Sequence, residues 1–435
     1  MTAQAGPRRL LRWLVTPPDF PPFRDGSFGS RTHDPAPAAW LGIALGVAFG
    51  ICFVTGLLSH LIQSGGSLVA HDVVSGGGWR AWPTAGGQLY RVTQGLHVTS
   101  GIAAFPLLFA KLFVVYPQLF TWPPVRGVRH AVERASLPLL IGGSIFMLLT
   151  GVQNVMYWYP WGFFFPVGHY WAAWVTTGAL IAHIGAKASI SAAVARRGLP
   201  TAAAEPPTAG SAGESRGSAT DAPATAPAGA VRTLPPDGGL TRRTVLTATA
   251  AVSGVAVAAS VGGTIRPLAP LAVLNARNPT IGPQGFPVNK TAASARVEDA
   301  ATADDYRLRV TGADEPLTLS RSDLLDLPQR DAVLPIACVE GWSAVKRWRG
   351  VSVATLLERA GARQGSRVRV VSLQSVGFYR SSDLTPELAA HPDTLLALKV
   401  GDEDLHLDHG FPVRLIAPNN PGVLQTKWVG EVRIL

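Results

Sequence analysis

The chain has 435 residues, 47% of them hydrophobic and only 15% charged, with 46 Gly, 35 Pro and a formal charge of +10. Soluble domains carry about a quarter charged residues, so a single water-soluble globule is a poor description, and the length allows two or three domains. The two cysteines, Cys52 and Cys338, form no CxxC or CxxCH, which argues against a disulfide framework, zinc ribbons, thioredoxin chemistry and covalent c-type haem.

The surplus charge is confined to one region. Residues 1–198 hold 14 Lys and Arg against 5 Asp and Glu, residues 199–269 hold 5 against 4, and residues 270–435 hold 19 against 19. That distribution does not describe a nucleic-acid-binding stripe, and no nucleic-acid partner is expected. It describes a membrane protein in contact with lipid. Four apolar stretches are long enough to span a bilayer, which takes about 20 residues: Trp40–Ile62, Val92–Tyr116, Ser136–Met156 and Val167–Ala188. The first begins too far into the chain, and is too long, for a signal peptide. Arg8, Arg9, Arg12, Arg24 and Arg31 precede span one; Lys111, Arg126, Arg129 and Arg134 flank the loop after span two; Lys187, Arg196 and Arg197 follow span four. Only Arg80 and Arg91 fall on the other side. The positive-inside rule then puts the N-terminus and the end of span four in the cytoplasm. The loop Gln63–Leu89 and the turn Trp158–Pro166 face outward, with Tyr157, Trp158, Tyr159, Trp161 and Phe163–Phe165 as an interfacial aromatic belt.

The expected organisation is multi-domain. A cytoplasmic segment (1–37) leads into an all-α transmembrane four-helix bundle (38–198). Residues 199–240, almost wholly Ala, Pro, Gly, Ser and Thr, form a flexible cytoplasmic linker. A fifth transmembrane helix (241–266) starts at Arg242-Arg243, either as an ordinary span or as an internal twin-arginine export signal. A mixed α/β domain (270–435) then lies outside the plasma membrane. Within it, strands are expected at Tyr306–Val310, Val368–Leu373, Thr394–Val400 and Val413–Ala417, an apolar run at Val333–Ala337, a helix start over Thr318–Leu327 and a helix at Val351–Ala360.

His97 and His183 fall inside spans, and His60 and His169 near the outer ends of spans one and four. An ionisable residue inside a span is costly and by default functional. The fourteen residues from His169 to His183 advance about 21 Å and return to within about 40° of one helix face, so one helix can offer an imidazole to each of two stacked haems. Structural histidines are the alternative. Four spans with His-x13-His in the last resemble the di-haem b-type cytochrome subunits of formate dehydrogenases and hydrogenases. Those subunits place a ligand near the cytoplasmic start of span one, where this chain has none. By depth, His97 and His169 pair as an outer haem b, with His60 an alternative ligand. His183 has only His130 as a nearby inner partner, so one or two haems remain open. Cys52 reads as a small buried side chain.

In the C-terminal domain, Ala337-Cys338-Val339-Glu340-Gly341-Trp342-Ser343 followed by Trp348-Arg349-Gly350-Val351 resembles the molybdenum-ligand segment of the sulfite oxidase family, nearest to periplasmic methionine-sulfoxide reductases. His409-Gly410-Phe411-Pro412-Val413-Arg414-Leu415-Ile416 and Thr426-Lys427-Trp428-Val429 resemble its second and third signatures, in order. The resemblance implies a molybdenum–molybdopterin cofactor with Cys338 as the protein's metal ligand. It also implies Arg414 and Lys427 on the cofactor phosphate, and Asn289, Lys290, His409 and Thr426 in cofactor contact. The family's immunoglobulin-like dimerisation domain is not expected after Leu435. No sulfite-binding basic pocket is identifiable: Arg347, Arg349 and Arg380 are anion ligands or ordinary surface charges. The expected function is oxygen-atom transfer on a small molecule, coupled to the quinone pool or another membrane electron carrier. Reduction of a sulfoxide or N-oxide is the first reading. Sulfite-type oxidation, or a non-catalytic membrane-anchored binding protein, are the alternatives.

Overall fold

The computed structural model describes residues 23, 35–63, 87–123, 125–156, 158, 160, 165–197, 241–376 and 379–435. The expected linker, the N-terminal arginines, most of the outward loop with Arg80, and Tyr157, Tyr159, Trp161, Phe163 and Phe164 lie outside the described residues.

Among the described residues the N-terminal region has five long helices: α1 (Pro35–Gln63), α2 (Leu89–Val115), α3 (Val128–Val155), α4 (Phe165–Arg197) and α5 (Arg242–Val261). By length and composition, Ala36–Gln63, Leu89–Phe120, Val128–Val155 and Arg242–Val261 are long and apolar enough to cross a membrane. The expected fourth span lies in α4, which carries His169, His183 and Lys187 and is not in that set. Helix α1 packs along α2 and α3 along α4, while α5 lies against α2. Leu45, Ala48, Ala104, Leu108 and Leu148 form a small apolar core where α1, α2 and α3 meet. Helix α5 starts where it does because Thr241 caps it, its side chain accepting from the Thr244 N–H.

The C-terminal domain contains two five-stranded sheets. One has the order β2 (Leu317–Leu319), β1 (Leu308–Thr311), β10 (Val429–Ile434), β5 (Val368–Ser372), β6 (Ser381–Leu384). The other runs β3 (Gln329–Ala337), β4 (Ser343–Ser352), β7 (Leu395–Val400), β8 (Glu403–Asp404), with β9 (Arg414–Ile416) also paired to β7. Strands β1 and β10 are parallel neighbours, and their partners are antiparallel. Leu308, Val310, Leu356, Val370, Leu396, Leu398, Leu415 and Val432 are buried in the larger core. Leu396 is fully buried, and Leu396→Ala should destabilise the domain by about 2–5 kcal/mol. Urea unfolding of the full chain, followed by tryptophan fluorescence, measures this.

Two expected boundaries shift for local reasons. Thr318 belongs to β2, opposite Arg309, and the following helix starts only after Ser320, which forms a capping box with Asp323. Val351 and Ser352 extend β4, pairing with Leu396 and Leu395, and Ser352 caps the helix Val353–Arg359.

Candidate active site

Cys338 opens the five-residue loop between β3 and β4. Its N–H donates to the Trp342 carbonyl at 2.9 Å and its carbonyl accepts from the Gly341 N–H at 3.1 Å. Gly341 has φ +89°, and a Cβ there would meet Val98 of α2 at 2.9 Å, so the tight loop and its close approach to the helix both require glycine. The Glu340 carboxylate accepts from Arg277 at 2.6 Å and from the Trp342 indole N–H at 2.9 Å. Only 2% of Cys338 is exposed. Burial first, and then the neighbouring Glu340 carboxylate, raise its thiol well above the ordinary range. Such a thiol keeps its proton until a cation binds it.

The other two motif segments bring cations to the same place. Arg414 on β9 and Lys427 just before β10 are both buried. Arg414 donates to the His409 carbonyl at 2.9 Å and lies over the Trp348 ring, while its Nε has no protein partner. Lys427 Nζ donates to the carbonyls of Lys290 (2.7 Å) and Asp408 (2.8 Å). Gly410, at φ +112°, lets these two segments converge: a Cβ there would press on Lys427 and Arg414. Burial lowers Arg414 to about 9 and pushes Lys427 and Lys290 down as well. Among the described residues no carboxylate is in salt-bridge contact with Arg414, Lys427 or Lys290, and desolvated cations so placed favour an incoming anion. Lys290 Nζ donates to Gln374 and the Val376 carbonyl, Asn289 Oδ1 accepts from the Lys290 N–H, and Thr426 Oγ1 shares a short hydrogen bond with Ser382. A soft thiol, buried cations, an orphaned guanidinium N–H and neutral donors fit a phosphate-bearing metal cofactor. Arg347 and Arg349 are exposed, Arg347 pairs with Asp402 at 2.6 Å, and exposed Arg380 donates to the Ser375 carbonyl, so these three read as surface charges.

His409 is buried, stacked on Phe286 at 3.6 Å, with Nε2–H donating to the Pro283 carbonyl. Burial first, and then Arg414, lower it from 6.5 to about 3. The unfolded chain therefore takes up this proton below pH 6.5 and the folded one only near 3. The stability it contributes is complete above 6.5 and falls as pH drops towards 3. The melting temperature should decline across that window in the parent, and less steeply in His409→Asn.

The histidines of the N-terminal helices converge in part. A cavity of about 530 Å³ is lined by His60, His97, His169 and Tyr170, and also by Val339 and Tyr379 of the C-terminal domain. The rings of His97 and His169 are 6.3 Å apart at an interplanar angle of 73°. His97 Nδ1 donates to the Cys52 carbonyl at 2.8 Å, and His169 Nδ1 is 2.7 Å from Thr150 Oγ1. His60 stacks on Tyr170 at 3.8 Å. His183 is not among the residues lining the cavity. It sits in the field of Lys111, Lys187 and Glu133, while His130 accepts from the Arg126 N–H. Gln94, Asn154 and Tyr379 were not singled out by motif. Their signal was a polar side chain in or beside an apolar helix for the first two, and for Tyr379 there was none.

Residues 294–435 match the model of the family described as the oxidoreductase molybdopterin binding domain. A protein of Bacillus subtilis named as an uncharacterized oxidoreductase, YuiH, is 30% identical over 150 residues, which are 34% of this chain and 73% of that protein. The chain belongs to the molybdopterin-binding oxidoreductase family. Asn289 and Lys290 lie just before the matched residues. The chain is also 32% identical over 145 residues to a protein of Azospira oryzae named as a methionine-sulfoxide reductase subunit (YedZ1), covering 33% of this chain and 54% of that one. It is 26% identical over 159 residues to the mitochondrial sulfite oxidase of Rattus norvegicus, covering 30% and 29%. The chain thus spans about half of the first of these two relatives and under a third of the second. The family match assigns residues 294–435 to a molybdopterin-binding oxidoreductase domain.

Proposed function

We propose that this chain is a membrane-bound molybdenum oxidoreductase that reduces a sulfoxide or N-oxide outside the cytoplasm, using electrons from the quinone pool or another membrane carrier delivered through haem b. The observation that carries the reading is the His97–His169 pair. Each imidazole has Nδ1 held by an oxygen, which leaves Nε2 as the ligand atom and is the usual second contact of a metal-binding histidine. The two ring centres lie 6.3 Å apart, so His97 and His169 would be the residues to hold a haem iron. The cavity beside them gives a macrocycle room, and His60 is the alternative ligand. A second haem at His183 is part of the proposal only as the inner site that His130 would complete.

Bound molybdenum cofactor supplies two-electron oxygen-atom transfer. The chain's own residues do the rest. Cys338 offers the thiolate ligand, and Arg414 and Lys427 receive the cofactor's anionic group. His409 stays neutral through the whole working range of pH. Lys290, with Asn289 before it, lies against Lys427, and Thr426 is the chain neighbour of Lys427. The likeness to a methionine-sulfoxide reductase subunit supports a sulfoxide as substrate. The likeness to a sulfite oxidase supports a second reading, oxidation of sulfite with electrons passing into the membrane. The skew of arginines and lysines supports a plasma-membrane location with the molybdenum domain on the extracytoplasmic face. The arginine pair opening α5 supports twin-arginine export.

Metal analysis and a reduced-minus-oxidised visible spectrum of the purified protein, followed by turnover with sulfoxides, N-oxides and sulfite, test this. Molybdenum, a b-type haem band and sulfoxide- or N-oxide-dependent oxidation of reduced dye are expected. A protein with neither metal nor haem sinks the proposal, and turnover with sulfite alone selects the second reading.

A further inference from the structure

The loop carrying Cys338 is held from the helical side. The Val339 carbonyl accepts from Gln94 Nε2 at 3.1 Å and from Asn154 Nδ2 at 3.2 Å. Gln94 is buried and lies one helical turn before His97 on α2. Asn154 lies one turn after Thr150, the residue holding His169, on α3. Arg91 ties the far end of the loop down, donating to Ser343 Oγ and to the Thr264 carbonyl. Val339, the residue after Cys338, itself walls the histidine cavity.

We infer that Gln94 and Asn154 are positioning residues for electron transfer, clamping the Val339 carbonyl so that the metal-ligand loop rests against the haem cavity and electrons pass directly within one chain, with no mobile carrier between. The inference rests on the function proposed above. Two one-electron oxidations of haem iron, fed by a quinol-class donor, balance each turnover: the sulfoxide S–O bond breaks, sulfur gains two electrons, and the oxygen leaves with two protons as water. Because tunnelling falls off exponentially with distance, a loosened loop slows this step and leaves each centre intact.

The test uses the full chain with Gln94→Met and Asn154→Leu, which keep apolar bulk and remove the donors, singly and together. In protein prepared without molybdenum, amide hydrogen exchange at Cys338, Gly341 and Ser343 should rise in the double variant. In loaded protein, reoxidation of the pre-reduced haem by substrate should slow by about tenfold or more. Haem content, molybdenum content and turnover with reduced dye supplied directly to the molybdenum domain should match the parent. The single variants, each keeping one donor, should be intermediate, and they carry the comparison if the double variant loses its haem. Parental exchange or a parental reoxidation rate overturns the clamp. A parent whose haem is absent, or is not reoxidised by substrate, overturns the underlying function and the clamp with it.

Discussion

Cys338→Ser should lower turnover by about 10³-fold or more while the visible spectrum stays that of the parent. The side chain is 2% exposed, and the loop around it is fixed by backbone bonds from Cys338 to Trp342 and from Gly341 to Cys338 that do not involve sulfur. Serine is close in size, so the packing against Trp342 and Ile336 survives. What is lost is the soft donor: a thiolate suits a transition metal, and a buried alcohol does not ionise to replace it. The raised thiol of the metal-free chain adds a second readout. Alkylation of Cys338 in metal-free protein should be slow at neutral pH, because burial and Glu340 both disfavour the thiolate. Turnover measured with reduced dye, beside molybdenum content, decides the matter, and a serine variant that still turns over removes the proposed ligand.

His169→Leu should abolish the haem band without reducing molybdenum content or dye-driven turnover, and His97→Leu should do the same. A gentler change reports on the outer contact. Thr150→Val deprives His169 Nδ1 of its 2.7 Å partner and should weaken haem retention by about 10–100-fold. His60→Leu separates the two ligand assignments. It keeps the haem if His97 and His169 are the pair, because His60, which stacks on Tyr170, then takes no part in holding the iron. Loss of the band in His60→Leu together with its retention in His169→Leu would transfer the ligand role to His60. Visible spectra of detergent-purified variants, normalised to protein, are sufficient.

Much of this was readable along the chain because the signals are local. The three motif segments contain their own turn glycines, Gly341 and Gly410, and the cations that meet at Cys338. The apolar runs show as helices through length and composition alone. Less readable was anything created by contact between distant segments. Strand β4 was invisible as a strand because its run, Ser343–Ser352, mixes lysine and arginines with apolar residues, the charges being tolerated on an exposed face. Helix α4 was expected to span like its neighbours, and it is a 33-residue helix over Phe165–Arg197 that is not among the four helices long and apolar enough to cross a membrane. The clamp on Val339 could not be foreseen, since it uses a backbone carbonyl that carries no sequence identity. Tyr379 reaches the cavity through a loop at φ +58°, a placement without periodicity to read.

The parallel pairing of β1 with β10 bears on when the binding cleft comes into being. Thr311 hydrogen-bonds Glu431, 120 positions further along, so the first sheet has no middle until its most distant segment arrives. Contacts of such sequence separation make folding slow. The segment that closes the sheet directly follows Thr426 and Lys427, while Cys338 and Arg414 hang from the other sheet. No partial chain can assemble the cleft. Any ligand it grips binds only the finished domain and draws the folding equilibrium after it, by about 2.7 kcal/mol at a hundredfold excess over its dissociation constant. Added ligand should therefore raise the folded fraction as well as the active one.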